Sequence, residues 1–153
     1  MKIEVRHIDN TCLKEVGFIK VVKKYGRIKK DVLIVFDKRI KYLGLHGFDA
    51  KSKKHIIRLS PILSKIDERG NIISNSAEKY NLLSTILHEL RHCQQLEELR
   101  SKYWDENYGA NERIKEKDIS VEFSEAESDA RMYENKYILE AVKLYDEFSE
   151  ESS

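Results

Sequence analysis

The segment Leu82-Leu83-Ser84-Thr85-Ile86-Leu87-His88-Glu89-Leu90-Arg91-His92 decides how the rest of the chain is interpreted, because it carries the pattern His-Glu-x-x-His within a run of helical character. Residues four apart lie on the same face of an α-helix, so His88 and His92 can each offer a nitrogen to one metal ion. Glu89 projects beside them, where a carboxylate can accept a proton from water. The spacing therefore predicts the core of a zinc hydrolase site.

The residues around this pattern favour a helix with one buried face. An apolar stripe lies opposite the two histidines and is formed by Leu83, Ile86, Leu87 and Leu90. Asn75 followed by Glu78 has the spacing of a capping box, so the predicted helix extends from about Ser76 to Arg100. The alternative is a surface helix with two solvated histidines. The register between the pattern and the apolar stripe favours the metal-binding interpretation.

Length and composition indicate what kind of protein contains this helix. A chain of 153 residues, 41% of them hydrophobic, is long enough for one domain with a sizeable core, and we expect a single domain over 1–153. No apolar run has the length of a membrane span and no signal peptide is recognisable, so we expect a cytoplasmic protein without a membrane partner. Cys12 and Cys93 do not suggest a disulfide framework. Cys93 falls toward the buried side of its helix, which favours a small core residue over a metal ligand.

Charge is distributed unevenly along the chain. Residues 1–60 carry a net charge of +10 and residues 121–153 carry −7, although the whole chain has only +1. The basic half could face an anionic partner, or the two regions could neutralise each other within the fold. No RNA-binding aromatic motif and no zinc-finger spacing is present, so nucleic acid stays an open partner without support from a motif.

The order of predicted elements indicates an α+β fold without internal repeats. Strands are predicted at Lys2–Arg6, Asp31–Asp37, Tyr42–Phe48 and Lys54–Ser60, with a helix at Leu13–Tyr25. A polar loop or short helix is predicted at Trp104–Asp118, before a last long helix that opens near Ser124.

A zinc site needs a third protein ligand, and the last helix supplies the candidates. Glu125 and Asp129 are four residues apart and share a helical face, whereas Glu127 is predicted to point away from that face. Ser124 and Glu127 have capping-box spacing. The alternative is that these acidic residues only complement the helix dipole.

The two segments together resemble the gluzincin branch of the zincin-like metallopeptidases. In that branch His-Glu-x-x-His is followed on a later helix by Glu-x-x-x-Asp, which Glu125 and Asp129 match here. The similarity is to small intracellular members: the minigluzincins and the ImmA/IrrE-like and SprT-like groups. Ser128 departs from the family pattern, which has Ala before the Asp. The resemblance implies a small mixed sheet with an N-terminal helix, an active-site helix and a C-terminal helix that carries the third ligand.

The resemblance also implies a role for each matching residue. His88, His92 and Glu125 would bind one Zn²⁺ per chain, Glu89 would be the general base, and Asp129 would orient a ligand histidine. A substrate-binding edge strand is expected within Lys54–Ser60. Its residues would be His55, Ile56, Ile57, Arg58 and Leu59.

These expectations predict a zinc metallopeptidase that cleaves a peptide or protein substrate with a zinc-activated water and Glu89 as base. The alternative is a zincin-fold binding protein without proteolytic activity that docks an anionic or protein partner. An intact Glu89 favours the enzyme, because a structural zinc site needs no general base.

Overall fold

The computed structural model describes residues 1–98 and 116–151, and within them the fold is a mixed α+β arrangement. It has three α-helices and a four-stranded sheet, together with two short 3-10 turns. The elements in chain order are β1 (Ile3–Arg6), α1 (Glu15–Gly26), β2 (Asp31–Phe36), β3 (Gly44–Asp49), β4 (Lys54–Leu59), α2 (Asn75–Glu97) and α3 (Glu116–Glu151). The predicted α+β class is confirmed at this level. None of the described helices combines the length and the apolar character needed to cross a bilayer.

The sheet has the strand order β1-β2-β4-β3, in which β1, β2 and β4 are parallel and β3 is antiparallel to β4. The continuous apolar run of β2 suits a strand with a neighbour on either side and buried residues on both faces. Because β4 pairs with both β2 and β3, it is an internal strand. The prediction that Lys54–Ser60 forms the edge strand is therefore wrong, and β3 occupies that edge.

Helix α2 forms as the apolar stripe predicts. Its four stripe residues are fully buried, and they are Leu83, Ile86, Leu87 and Leu90. The start differs from the predicted capping box, because Ser74 is the N-cap and its Oγ accepts a 3.3 Å hydrogen bond from the amide of Ala77. Glu78 is instead buried and accepts from the amide of Cys12 at 3.2 Å. The helix ends at Glu97, and the predicted end at Arg100 lies outside the described residues.

Helix α3 begins at Glu116, eight residues before the predicted start at Ser124, so the capping-box interpretation of Ser124 and Glu127 is wrong. The predicted loop Trp104–Asp118 lies outside the described residues up to position 115, and its last three residues belong to α3. Ala126 and Ala130 are buried, and small side chains at these positions let α3 approach α2 closely. This contact carries the acidic residues of α3 to the histidines of α2.

Candidate metal centre

His88 and His92 meet one carboxylate of α3. The Nε2 atom of His88 lies 2.8 Å from Oε2 of Glu127, and Nε2 of His92 lies 2.8 Å from Oε1 of the same side chain. The two imidazole rings are nearly perpendicular, with centroids 4.9 Å apart. Two imidazole nitrogens and a carboxylate oxygen thus converge within the span of one metal ion.

The carboxylate that contacts both histidines is that of Glu127, whereas the side chain of Glu125, the predicted third ligand, is exposed. Around a helix with 3.6 residues per turn, the buried Ala126 and Ala130 define the direction that faces α2. Glu127 follows Ala126 on the side of this contact nearest His88, whereas Glu125 falls on the opposite side. Glu125 and Asp129 do share a helical face, as predicted. That face lies on the flank of α3 away from His88.

Each histidine is held by a hydrogen bond at its other ring nitrogen. Nδ1 of His88 lies 3.0 Å from Oε1 of Glu134, and Nδ1 of His92 lies 2.8 Å from Oε1 of Gln95. Ser84 donates from its hydroxyl to the second oxygen of Glu134. These contacts fix both rings with Nε2 toward the centre, as partners of metal-binding histidines do.

Glu134 and Gln95 were not among the predicted site residues, although the sequence spacing contained a signal for both. Glu134 follows Glu127 by seven residues, which returns it to within about 20° of the same helical direction. Gln95 follows His92 by three residues and so lies on a neighbouring part of α2. An acceptor at each of these positions is what a histidine ligand needs to fix its ring.

Within residues 1–98 and 116–151, Asp129 is connected to the centre through Gln95. Its carboxylate accepts from Nε of Arg91 at 2.7 Å and from Nε2 of Gln95 at 2.9 Å. Gln95 then contacts His92, as described above. The prediction that Asp129 itself orients a ligand histidine is corrected: Gln95 and Glu134 make the direct contacts, and Asp129 holds Gln95.

Opposite charges concentrate at this centre. Burial disfavours the charged form of His88, but hydrogen bonds to Glu127 and Glu134 outweigh it and raise its pKa to about 9. The pKa of His92 is also raised, since its contact with Glu127 likewise overcomes burial. Hydrogen bonds from both rings hold the pKa of Glu127 well below its usual value. In the metal-free centre, protons therefore supply the positive charge that a bound cation would supply instead.

Glu89 lies beside the two histidines and is only 6% exposed. Burial raises its pKa to about 7, against the opposing influence of His92 and His88. A carboxyl group with this pKa can both accept and return a proton near neutral pH. This position and pKa would suit a general base.

An open cleft of about 820 Å³ lies above the centre and is bounded on one side by β3 and the residues before it. The glycine at the start of β3 lets this strand lie close to α2. A Cβ at Gly44 would lie 2.5 Å from Cγ2 of Thr85 and 3.2 Å from Oε1 of Glu89. The cleft is lined by Tyr42, Leu43, Gly44, Leu45, His46, Asn81, Ser84, Thr85, His88, Glu89, His92, Ala126, Glu127, Arg131 and Glu134.

The predicted substrate strand does not line this cleft. His55, Ile57 and Leu59 are fully buried, and Ile56 and Arg58 are half-buried on the other face of β4. Their place beside the cleft is taken by 42–46, which lead into and begin β3.

The donor set fits a zinc ion of the catalytic type. Zinc sites of that type use three protein ligands from His, Glu or Asp and leave a further position for water or substrate, whereas structural sites usually fill all four with protein. Here His88, His92 and Glu127 supply three donors next to an open cleft. Comparisons of the chain with protein-family models, curated proteins and solved structures gave no match.

Proposed function

We propose that this chain is a zinc-dependent metallopeptidase of the zincin type, which hydrolyses peptide bonds in an extended peptide or protein segment. The observation that carries the proposal is the convergence of His88, His92 and Glu127 beside a buried Glu89 at the floor of an open cleft. A metal-binding scaffold without catalysis would need neither the carboxyl group nor the cleft.

His88, His92 and Glu127 would hold the ion, with Glu134 and Gln95 fixing the two rings. When bound, Zn²⁺ supplies Lewis acidity, which lowers the pKa of water and polarises a carbonyl group. Glu89 accepts one proton from the attacking water as its oxygen bonds to the carbonyl carbon. Glu89 then returns that proton to the amide nitrogen as the C–N bond breaks, which leaves a carboxylic acid and an amine.

The edge of β3 provides a site for the substrate backbone. Among the described residues β3 pairs with β4 alone, so its outer N–H and C=O groups can bind an added strand. Leu43 and Leu45 are 47% and 39% exposed and lie along the cleft, together with Tyr42. We expect them to contact apolar side chains of the substrate.

We further propose a cytoplasmic location. Both cysteines are free thiols, and thiols persist in a reducing compartment.

The experiment that tests the proposal is cleavage of a mixed peptide library by the zinc-loaded protein, read by mass spectrometry. We expect new peptide termini that disappear with a chelator and return with added zinc. Glu89→Gln should bind zinc as the parent does but lose cleavage by 100-fold or more, since general bases contribute about 100- to 10,000-fold. Glu98→Gln changes an exposed carboxylate and is the matched control. Zinc binding without cleavage by the parent, or full cleavage by Glu89→Gln, would contradict the proposal.

A further inference from the structure

A second group of metal-binding side chains lies behind the cleft and shares no donor with the centre described above. His46 on β3, His55 on β4 and Cys93 on α2 each offer one ligand atom, and all three atoms lie within 4.8 Å of one another. His55 and Cys93 are fully buried, and His46 also lines the cleft. Cys93 looked like a simple core residue in the sequence, where nothing linked it to the two distant histidines.

The sheet brings the two histidines onto one face. His46 is paired with Ile57 in the antiparallel ladder, and His55 lies two residues from Ile57 on the same face of β4. The Nε2 atom of His46 and Nδ1 of His55 are 3.0 Å apart.

Glu97 fixes the orientation of His55. Its Oε2 lies 2.6 Å from Nε2 of His55, and the same carboxylate accepts from the backbone amides of Lys29 and Lys30 at 2.7 and 3.3 Å. A carboxylate only accepts, so Nε2 of His55 carries the proton and Nδ1 presents a lone pair toward His46. A carboxylate behind an imidazole in this way is the usual support of a histidine metal ligand.

We propose that His46, His55 and Cys93 form a second cation site, which takes Zn²⁺ through two imidazole nitrogens and one thiolate, with Glu97 holding His55. Two nitrogens on a tetrahedral Zn²⁺ lie about 3.3 Å apart, given Zn–N bonds of about 2.0–2.1 Å, so the two rings need to separate by only about 0.3 Å. On binding, the proton between the two rings moves to Nδ1 of His46, which keeps that imidazole neutral, and the thiol proton of Cys93 is released to solvent.

Charge supports this assignment. A divalent cation with one thiolate leaves one positive charge in a buried position, and the carboxylate of Glu97 next to His55 balances it. His46 lines the cleft and gives the cation a route from solvent. The ring of His46 also stacks against His92, with centroids 6.4 Å apart, so the second site borders the first without sharing a donor with it.

Cobalt titration of the reduced, metal-free full chain tests this proposal. Co²⁺ replaces Zn²⁺ at such sites, and a thiolate ligand produces an intense sulfur-to-cobalt charge-transfer band in the near ultraviolet. We expect two Co²⁺ per chain and this band in the parent protein. Cys93→Ala should lose the band and one Co²⁺ while keeping its circular dichroism spectrum, whereas Cys12→Ala, the matched control, should keep both.

Two further variants separate this site from the proposed peptidase centre. Glu127→Gln weakens the first site and should retain the charge-transfer band, so failure of the peptidase proposal leaves this test intact. Glu97→Gln should weaken cobalt binding at the second site by about 10- to 100-fold, the usual effect of losing such a supporting carboxylate, while Glu98→Gln should not. A parent protein without the band, or a band that is lost in Cys12→Ala and kept in Cys93→Ala, would overturn the proposal. Equal second-site affinities in Glu97→Gln and the parent would also overturn it.

Discussion

Replacing Glu127 by Gln tests the identity of the third donor, and Glu125→Gln is the matched control two residues away on the same helix. The carboxylate of Glu127 lies 2.8 Å from Nε2 of His88 and 2.8 Å from Nε2 of His92, and its side chain is only 22% exposed. Glu125 is exposed. The two substitutions make the same chemical change, so only position distinguishes them.

The structure sets the size of the expected effect. Residues that merely support a ligand change metal affinity by about 10- to 100-fold. Loss of a charged direct donor should therefore exceed 100-fold, or about 2.8 kcal/mol at about 1.4 kcal/mol for each tenfold change. In the metal-free protein Gln keeps one acceptor oxygen and loses one charge-assisted hydrogen bond, which destabilises the fold by about 1.5–3 kcal/mol. Glu125→Gln should stay within about 0.5 kcal/mol of the parent, as exposed substitutions usually do.

Competition with a chromophoric zinc chelator measures the zinc affinity, and urea unfolding in the presence of excess chelator measures the stability of the metal-free protein. The Kd for zinc should rise more than 100-fold in Glu127→Gln and less than twofold in Glu125→Gln. A larger rise in Kd for Glu125→Gln than for Glu127→Gln would refute Glu127 as the third donor and favour Glu125, the residue predicted from the sequence.

Three further perturbations test the support of His88 by Glu134, the close packing of β3 and the charge of the metal-free centre. Glu134→Gln weakens the contact to His88 and should lower zinc affinity by about 10- to 100-fold; an unchanged Kd would refute its supporting role. Gly44→Ala should lower kcat/KM on the order of 100-fold by displacing the base, while Gly47→Ala, whose added methyl group meets nothing within 4 Å, should not; equal activities would contradict the close packing of β3. The metal-free protein should lose stability between pH 6 and pH 9.5, with roughly 3 kcal/mol of the loss from His88 alone. The pKa of His88 is raised from 6.5 in the unfolded chain to about 9 in the folded one, so its stabilisation is complete below pH 6.5 and disappears as pH passes about 9; the raised pKa values of Glu89 and His92 add loss in the same direction. Unfolding measured across this range should show the fall in the parent and a smaller one in Glu127→Gln; a flat profile would contradict it.

The helix that carries His88 and His92 could be predicted from sequence because its evidence is local. The apolar stripe, the spacing of four and the long uninterrupted run all agree, and the structure has α2 at that place. The strands were likewise located to within two residues, since each is a short apolar or alternating run bounded by polar residues.

The third donor could not be predicted in the same way, because it depends on which side of α3 meets α2. Periodicity shows that Glu125 and Asp129 share a face and that Glu127 does not, but it does not reveal the flank nearest His88. That choice follows from the packing of Ala126 and Ala130. The seven-residue spacing from Glu127 to Glu134, next to the two buried alanines, was a stronger indication of the acidic face near His88 than the four-residue spacing from Glu125 to Asp129.

The edge strand was assigned wrongly for a similar reason. Chain order joins β3 and β4 in a hairpin, and a hairpin alone does not reveal which of its strands pairs with the rest of the sheet. Here β4 pairs in parallel with β2, which leaves β3 outside. Gly44 alone marks the start of β3 as a point of close approach, because a Cβ there would lie 2.5 Å from Cγ2 of Thr85.

Anomalous diffraction at the zinc edge, measured on crystals of the zinc-loaded protein, would locate the ion that His88, His92 and Glu127 are proposed to bind. We expect a peak about 2.0–2.2 Å from Nε2 of His88, Nε2 of His92 and a carboxylate oxygen of Glu127, with a further position open to the cleft. A zinc ion bound by Glu125, or no peak between the two imidazole rings, would contradict it.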